Sequence, residues 1–240
     1  MRLTGIILFI PFFSTQFVPV NIRVLITFFI SYITLLNINS SFPINSSAGL
    51  IIYYLVLNFL IGLSIGIITN IIFYAIQFAG EIIGMQMGFA MANVFDPVTN
   101  DEISLISELS FLFAILIFFI LKGPLIFYTI IMDSFNKVPV LFDLNSAGFL
   151  TFSQKLFDVF TIGLQLSMPL IAFMIIIKVA LGIVSRLIPQ VNVFMVGIPL
   201  EILVGFILFL GVILIWEEQI SNMFFQLIQW IKKSIILLSQ

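Results

Sequence analysis

The side chains that carry most enzymatic chemistry are missing or isolated in this sequence. It contains no Cys and no His, which removes thiolate nucleophiles, disulfides, Cys/His zinc sites and imidazole proton relays together. Two carboxylate pairs occur, Asp101-Glu102 and Glu217-Glu218. Each falls where a helix is expected to start, so capping and helix-dipole roles explain them better than general acid–base work. No nucleophile–base pair, metal cluster or phosphate-binding loop is present, so neither an enzyme nor a bound cofactor is expected. With 9 basic and 11 acidic residues and a net charge of −2, there is no basic patch for nucleic acid. Glu81 stands apart, because it ends an uncharged run over residues 24–80 and is followed by fourteen more uncharged residues. An acid at mid-bilayer costs about 2.5–3.5 kcal/mol on insertion scales. Glu81 is therefore either a functional group or a side chain at a helix end or facing a polar interior. With Lys178 and Glu201 it could form the ion-coupling set of a stand-alone secondary transporter, although no internal repeat is visible.

Spacing says more than chemistry. Gly62, Gly66, Asn70, Tyr74, Gln77, Glu81, Gly84 and Gly88 recur at steps of three or four, which places small and polar side chains on one helix face. Within that stripe Gly80, Gly84, Gly88 and Ala92 form a small-xxx-small ladder, a pattern that lets helix backbones approach closely in lipid. Two readings stay open: packing inside one bundle, or a surface for neighbouring subunits. Residues 88–102 form an apolar, Met- and Phe-bearing stretch closed by Asp96-Pro97, which ends any helix. It is either an adaptable seal or a plain connection. Residues 185–199 place Pro189 and Pro199 around an Asn/Gln-bearing apolar stretch. A re-entrant turn, a hairpin tip packed on protein, or a simple interfacial loop would each satisfy its backbone. In the tail, Ile220, Met223, Phe224, Leu227, Ile228, Ile231 and Ile235 share one helical face. Glu217 and Glu218 precede that face and Lys232 and Lys233 follow it, which suits an amphipathic helix anchored on a membrane or a partner.

These features must be positioned by membrane helices. Of the 240 residues, 62% are hydrophobic and 8% charged, far from the roughly 25% charged of soluble domains. Disorder is excluded by the same figures, and an all-α integral membrane protein remains. Polar punctuation at 37–47, 93–102, 123–124, 133–155 and 185–192 separates about six segments of near-membrane length. They divide a single domain, 1–240, into first helices and a polar loop (1–48), a long helix and its loop (49–103), central hairpins (104–192), a last long apolar helix (193–216) and the amphipathic tail (217–240). A helix over 49–92 would be about 66 Å long, twice the roughly 30 Å hydrocarbon core, so it must break or be covered by protein. The first residues have the charge and apolar run of a signal peptide, but Pro11 interrupts them and no small-residue cleavage site follows. Basic residues lie near almost every junction, so the positive-inside rule leaves the orientation open.

Two of these stretches carry a family likeness. Gly80-Glu81-Ile-Ile-Gly84-Met-Gln86-Met87-Gly88, continuing through Phe95-Asp96-Pro97, resembles the central signature of the flagellar biosynthetic protein FliR family. So does Ser185-Arg186 with Pro189-Gln190-Val-Asn192-Val-Phe194-Met-Val-Gly197-Ile-Pro199. The resemblance implies a fold of kinked helical hairpins packed into a multi-subunit export gate in the bacterial inner membrane, at the flagellar basal body. It implies FliP and FliQ as neighbouring subunits, FlhB docked on them, and unfolded flagellar proteins as the exported substrates. The stretch matching the family's channel plug would use Gly88, Phe89, Met91, Asn93, Val94, Phe95, Asp96 and Pro97. Gly62, Gly66, Gly80, Glu81, Gly84 and Gln86 would pack neighbouring subunits, and Arg186, Pro189, Gln190, Asn192, Phe194, Gly197 and Pro199 would form a hairpin-tip signature. Against the family pattern, more residues usually precede the segment that begins here at Met1, and Glu201 replaces a commoner basic or neutral residue.

Overall fold

The computed structural model describes residues 1–10, 18–37, 47–89, 105–138, 146–188 and 193–238, without the side chains of 146–157, 193–194 and 234–238. Among the described residues the chain is all-α, with no strand. Its helices are α1 (Arg2–Phe9), α2 (Val20–Asn37), α3 (Ala48–Gln86), α4 (Leu105–Ile120), α5 (Gly123–Lys137), α6 (Ser146–Leu187) and α7 (Val193–Leu238). Helix is what an apolar sequence in lipid must form, because it alone satisfies every backbone N–H and C=O within one segment. Among the described residues, four helices are long and apolar enough to cross a membrane: α2, α3, the part of α6 over Asp158–Leu187 and the part of α7 over Met195–Lys233. The pair α4 and α5 makes a fifth candidate, bent by 71° at its break. This is fewer than the six segments the hydropathy pattern suggests, because the two shortest are halves of one bent pair.

The bend has a local cause. Pro124 has no N–H to continue the ladder of α4, and Lys122 takes a left-handed conformation (φ 55, ψ 36) that turns the chain into α5. The ring of Phe118 covers the α-carbon of Gly123, where no side chain would fit.

The chain forms two compact units. The first comprises 1–73, 118–158 and 223–240, and the second 74–117 and 159–222. In the first, α1 lies directly on α3 through glycine. A Cβ on Gly5 would stand 2.6 Å from the Phe59 carbonyl oxygen, one on Gly66 2.9 Å from that of Ile6, and one on Gly62 would collide with that of Arg2. Asn70 Nδ2 donates to the Phe9 carbonyl oxygen (2.6 Å) and so closes the last turn of α1. A second cluster joins Phe73, Phe118 and Phe224, with ring centroids 5.4 Å apart for Phe73–Phe224 and 5.7 Å for Phe73–Phe118.

In the second unit, the end of α3, the start of α4 and the greater part of α6 and α7 pack together. Ser107 Oγ donates to the Gln77 carbonyl oxygen (2.9 Å), and a Cβ on Gly80 would stand 2.7 Å from Ser107 Cα. Helices α6 and α7 form an antiparallel hairpin: buried Trp216 Nε1 donates to the Leu166 carbonyl oxygen (3.1 Å), and the two residues lie 23 and 21 positions from the facing helix ends, 216 − 193 and 187 − 166. Pro169 sits inside α6 and leaves the Gln165 carbonyl without an N–H four residues on. The loosened turn is held by the Trp216 bond and by Ser167 Oγ, which donates to the Leu164 carbonyl oxygen (3.0 Å). Neighbouring helices and hydroxyl side chains commonly re-satisfy a proline turn in this way.

Three sequence expectations change. The long helix ends at Gln86, not Ala92, because Gly88 takes φ +88 and accepts a C-terminal turn that L side chains resist. The ladder is therefore cut at its third member, Gly88. The division at 216–217 disappears, since α7 continues through exposed Glu217 and Glu218; these acids are mid-helix, not at a helix start. Finally, the apolar face of the tail is covered by its own chain, with Ile220, Phe224 and Ile231 buried.

Candidate functional site

The two signature stretches meet at the C-terminal end of α3. Met87 is fully buried and its Cγ would be 2.5 Å from a Cβ on Gly205 of α7. Gly205 is thus the notch that receives the Met87 side chain. One residue on, a Cβ on Gly88 would stand 3.8 Å from Glu201 Oε2 and 3.9 Å from Ile198 Cγ2. Ile198 belongs to the second signature and Met87-Gly88 to the first, so residues about a hundred positions apart in sequence form one contact. On the other side, Lys178 Nζ of α6 donates to Gln86 Oε1 (2.8 Å). The last turn of α3 is therefore held from two helices before the chain leaves it at Gly88.

That geometry gives the following residues, 89–104, a fixed point of departure. Of the plug set, Gly88 and half-buried Phe89 lie here; Met91, Asn93, Val94, Phe95, Asp96 and Pro97 lie outside the described residues. Of the hairpin-tip signature, Arg186 is exposed in the last turn of α6, Gly197 is buried and Pro199 exposed within α7. Phe194 lies in the first turn of α7, while Pro189, Gln190 and Asn192 fall outside the described residues.

The packing set divides. Gly62 and Gly66 meet α1, and Gly80 meets Ile106, Ser107 and Ser110 of α4. Within this chain, their close approaches are made by its own helices. Gly84 is buried, whereas Glu81 and Gln86 are half-buried and Tyr74 and Met85 are exposed. What remains open along the end of α3 is a narrow strip of mixed polarity. Glu81, Lys178 and Glu201 all lie within unbroken helices, so none sits at the broken-helix geometry that an ion-coupling transporter would use.

Sequence reasoning misses Arg2 altogether. It is buried in the first unit, its Nε donating to Asn58 Oδ1 (3.1 Å) and its Nη1 to the carbonyl oxygens of Ser134 (2.6 Å) and Val138 (3.1 Å). Its guanidinium also lies 4.4 Å from the Phe135 ring centre. Arg2 thus places a cation on the last carbonyls of α5, where the helix dipole favours one. Burial lowers its pKa to about 10, which leaves it protonated at neutral pH. No signal around residue 2 indicates a partner 132 positions away.

Comparison with known proteins places this architecture. Residues 1–227 match the family described as bacterial export proteins, family 1. The chain is 35% identical over 198 residues to the flagellar biosynthetic protein FliR of Pectobacterium carotovorum subsp. carotovorum, covering 82% of this chain and 74% of that protein. It is 32% identical to the FliR of Aquifex aeolicus (strain VF5), covering 93% and 86%, and 32% identical to that of Bacillus subtilis (strain 168), covering 93% and 88%.

Proposed function

The chain belongs to the bacterial export proteins, family 1, as a membrane-embedded subunit of the flagellar export apparatus, and we propose that it is a structural, channel-forming one. In this reading it passes unfolded flagellar proteins across the bacterial inner membrane and catalyses no reaction. Its neighbours are FliP- and FliQ-like subunits, with FlhB docked on the assembly. The observation that carries the proposal is the joint at the end of α3. Met87 seated on Gly205, Gly88 turned at φ +88, and the Lys178–Gln86 bond together anchor the stretch that begins at Gly88. A plug needs such an anchor: its root must be rigid while its apolar tip, rich in Met and Phe, adapts to the channel wall. Glu81, Gly84 and Gln86, with exposed Tyr74 and Met85, form the strip that packs a neighbouring subunit.

The test is deletion of residues 89–97 in cells that express the whole gate. The complex still co-purifies in mild detergent, because the anchor is intact, but the membrane becomes leaky to ions. Unchanged conductance overturns the plug assignment. A chain that purifies alone and binds a small solute overturns the gate itself.

A further inference from the structure

The first unit contains a groove that none of the above uses. It lies between α1 and the start of α2, has a volume of about 470 Å³, and its walls include Thr4, Ile7, Leu8, Arg23, Thr27 and Phe28. Ile7 also borders an apolar cavity of about 300 Å³ walled by Ile10, Ile30, Phe119 and Phe127. The two spaces share the Ile7 side chain as a wall.

Charge and depth identify the occupant. Helix α2 has 18 residues and spans about 27 Å at 1.5 Å per residue, close to a hydrocarbon core of about 30 Å. Arg23 stands in its first turn and therefore at headgroup level, where arginine side chains snorkel. Its Nε donates to the Val18 carbonyl oxygen (3.0 Å), which holds the half-buried guanidinium at the mouth of the groove. No acidic residue lines the groove, and the sequence has none before Glu81. Deeper in, the polar groups of the walls are the hydroxyls of Thr4, Thr27 and Ser31. Thr27 Oγ1 donates to the Arg23 carbonyl oxygen (2.7 Å) and Thr4 Oγ1 to that of Met1 (2.6 Å), so an apolar chain lying over them strands neither hydroxyl hydrogen. A cation at the membrane surface above a dry, Phe-walled slot is complementary to one amphipathic molecule.

We infer that this groove binds a phospholipid of net negative charge, its phosphate on Arg23 and one acyl chain running past Ile7 and Phe28 towards Phe119 and Phe127. The inference is independent of the channel reading, since its test measures lipid and not export. The full chain, purified in its complex in mild detergent, is given phosphatidylglycerol and phosphatidylcholine at equal concentration and analysed by native mass spectrometry. The expected result is one phosphatidylglycerol retained per chain under activation that strips phosphatidylcholine. Arg23→Gln lowers that retention at least tenfold, to the phosphatidylcholine level. Leu8→Trp, at an exposed wall position, fills the groove and loses the lipid without moving the melting temperature of the lipid-free complex. Equal retention of both lipids means ordinary annular lipid and overturns the inference, as does wild-type retention in Arg23→Gln. A photo-crosslinker at position 8 that captures a protein subunit in place of lipid also overturns it.

Discussion

Glycine positions that look alike in the sequence are separated by the structure, and alanine substitution measures the separation. Gly62 and Gly5 sit where α1 touches α3: an alanine methyl at Gly62 would collide with the Arg2 carbonyl, and one at Gly5 would come within 2.6 Å of the Phe59 carbonyl oxygen. Neither neighbour is the free end of a flexible side chain, so α1 has to move off α3 as a body. That movement strains the Asn70–Phe9 and Arg2–Asn58 bonds. Overpacking of this kind costs about 1–3 kcal/mol. Gly182 and Gly211 are also inside long helices, but a Cβ at either meets nothing within 4 Å. There, alanine only gains helix propensity, up to about 1 kcal/mol. Since alanine gains that propensity at all four positions, the two classes should differ by the overpacking cost, about 1–3 kcal/mol, or roughly 2–12 °C in melting temperature for a chain of this size. Thermal unfolding of the purified chain in mild detergent, followed by circular dichroism, reads the difference. Melting within 2 °C for Gly62→Ala and Gly182→Ala would refute the packing argument. A variant at Gly182 or Gly211 that melts normally but fails to enter the complex would place a neighbouring subunit at that position.

Three further substitutions test single features. Gly88→Ala forces a side chain into φ +88 and should destabilise the chain by about 1–2 kcal/mol, with Gly88→Asn milder in the same melting assay. Trp216→Phe removes the indole donor to the Leu166 carbonyl beside the proline turn. It should cost about 0.5–1.5 kcal/mol, and also abolish the emission of the buried tryptophan. Arg2→Met removes the guanidinium donors from Asn58 Oδ1 and from the Ser134 and Val138 carbonyls, of which Ser134 keeps the Val138 N–H, and should cost about 1–3 kcal/mol. Burial lowers the Arg2 pKa to about 10, so its charged-state penalty is complete below that pH and relieved only as pH rises through it. The Arg2→Met penalty should accordingly still be present at pH 9, and its disappearance by that pH would refute a protonated Arg2.

Element type was legible because composition dictates it: a chain with 8% charge has few structures open to it in lipid other than helix. Pro189 and the polar residues at 185–192 marked the break between α6 and α7, but left a re-entrant turn, a hairpin tip and an interfacial loop open. Element ends were harder. Asp96-Pro97 is the stronger breaker on paper, yet Gly88 ends α3 first, because a glycine at the C-terminal turn needs a partner surface as well as a permissive φ, and Ile198 and Glu201 supply it from more than a hundred residues away. Small-residue spacing records that a backbone comes close, not whose, and at Gly62, Gly66 and Gly80 the neighbour within this chain is one of its own helices. Arg2 and Trp216 were unreadable for the same reason, since each is defined by a carbonyl on a distant helix.

The over-long helix now has a physical account. At 39 residues α3 is about 58 Å long, and its most apolar stretch is 39% buried by the rest of the chain, against 6% for α2 and 17% for the spans of α6 and α7. Hydropathy alone would rank α7 as the most membrane-like of these helices and α2 as the least. Burial orders them differently. α3 is the most self-buried of these spans, whereas α2 matches the bilayer in length and turns its apolar surface outward. Exposed Phe28, Phe29, Tyr32 and Leu36 on α2 are what a lipid-facing span requires, and the adjoining Arg23 groove is where that lipid contact becomes specific. Mean apolarity sets that a segment leaves water, and length together with self-burial decides which solvent, lipid or protein, replaces it.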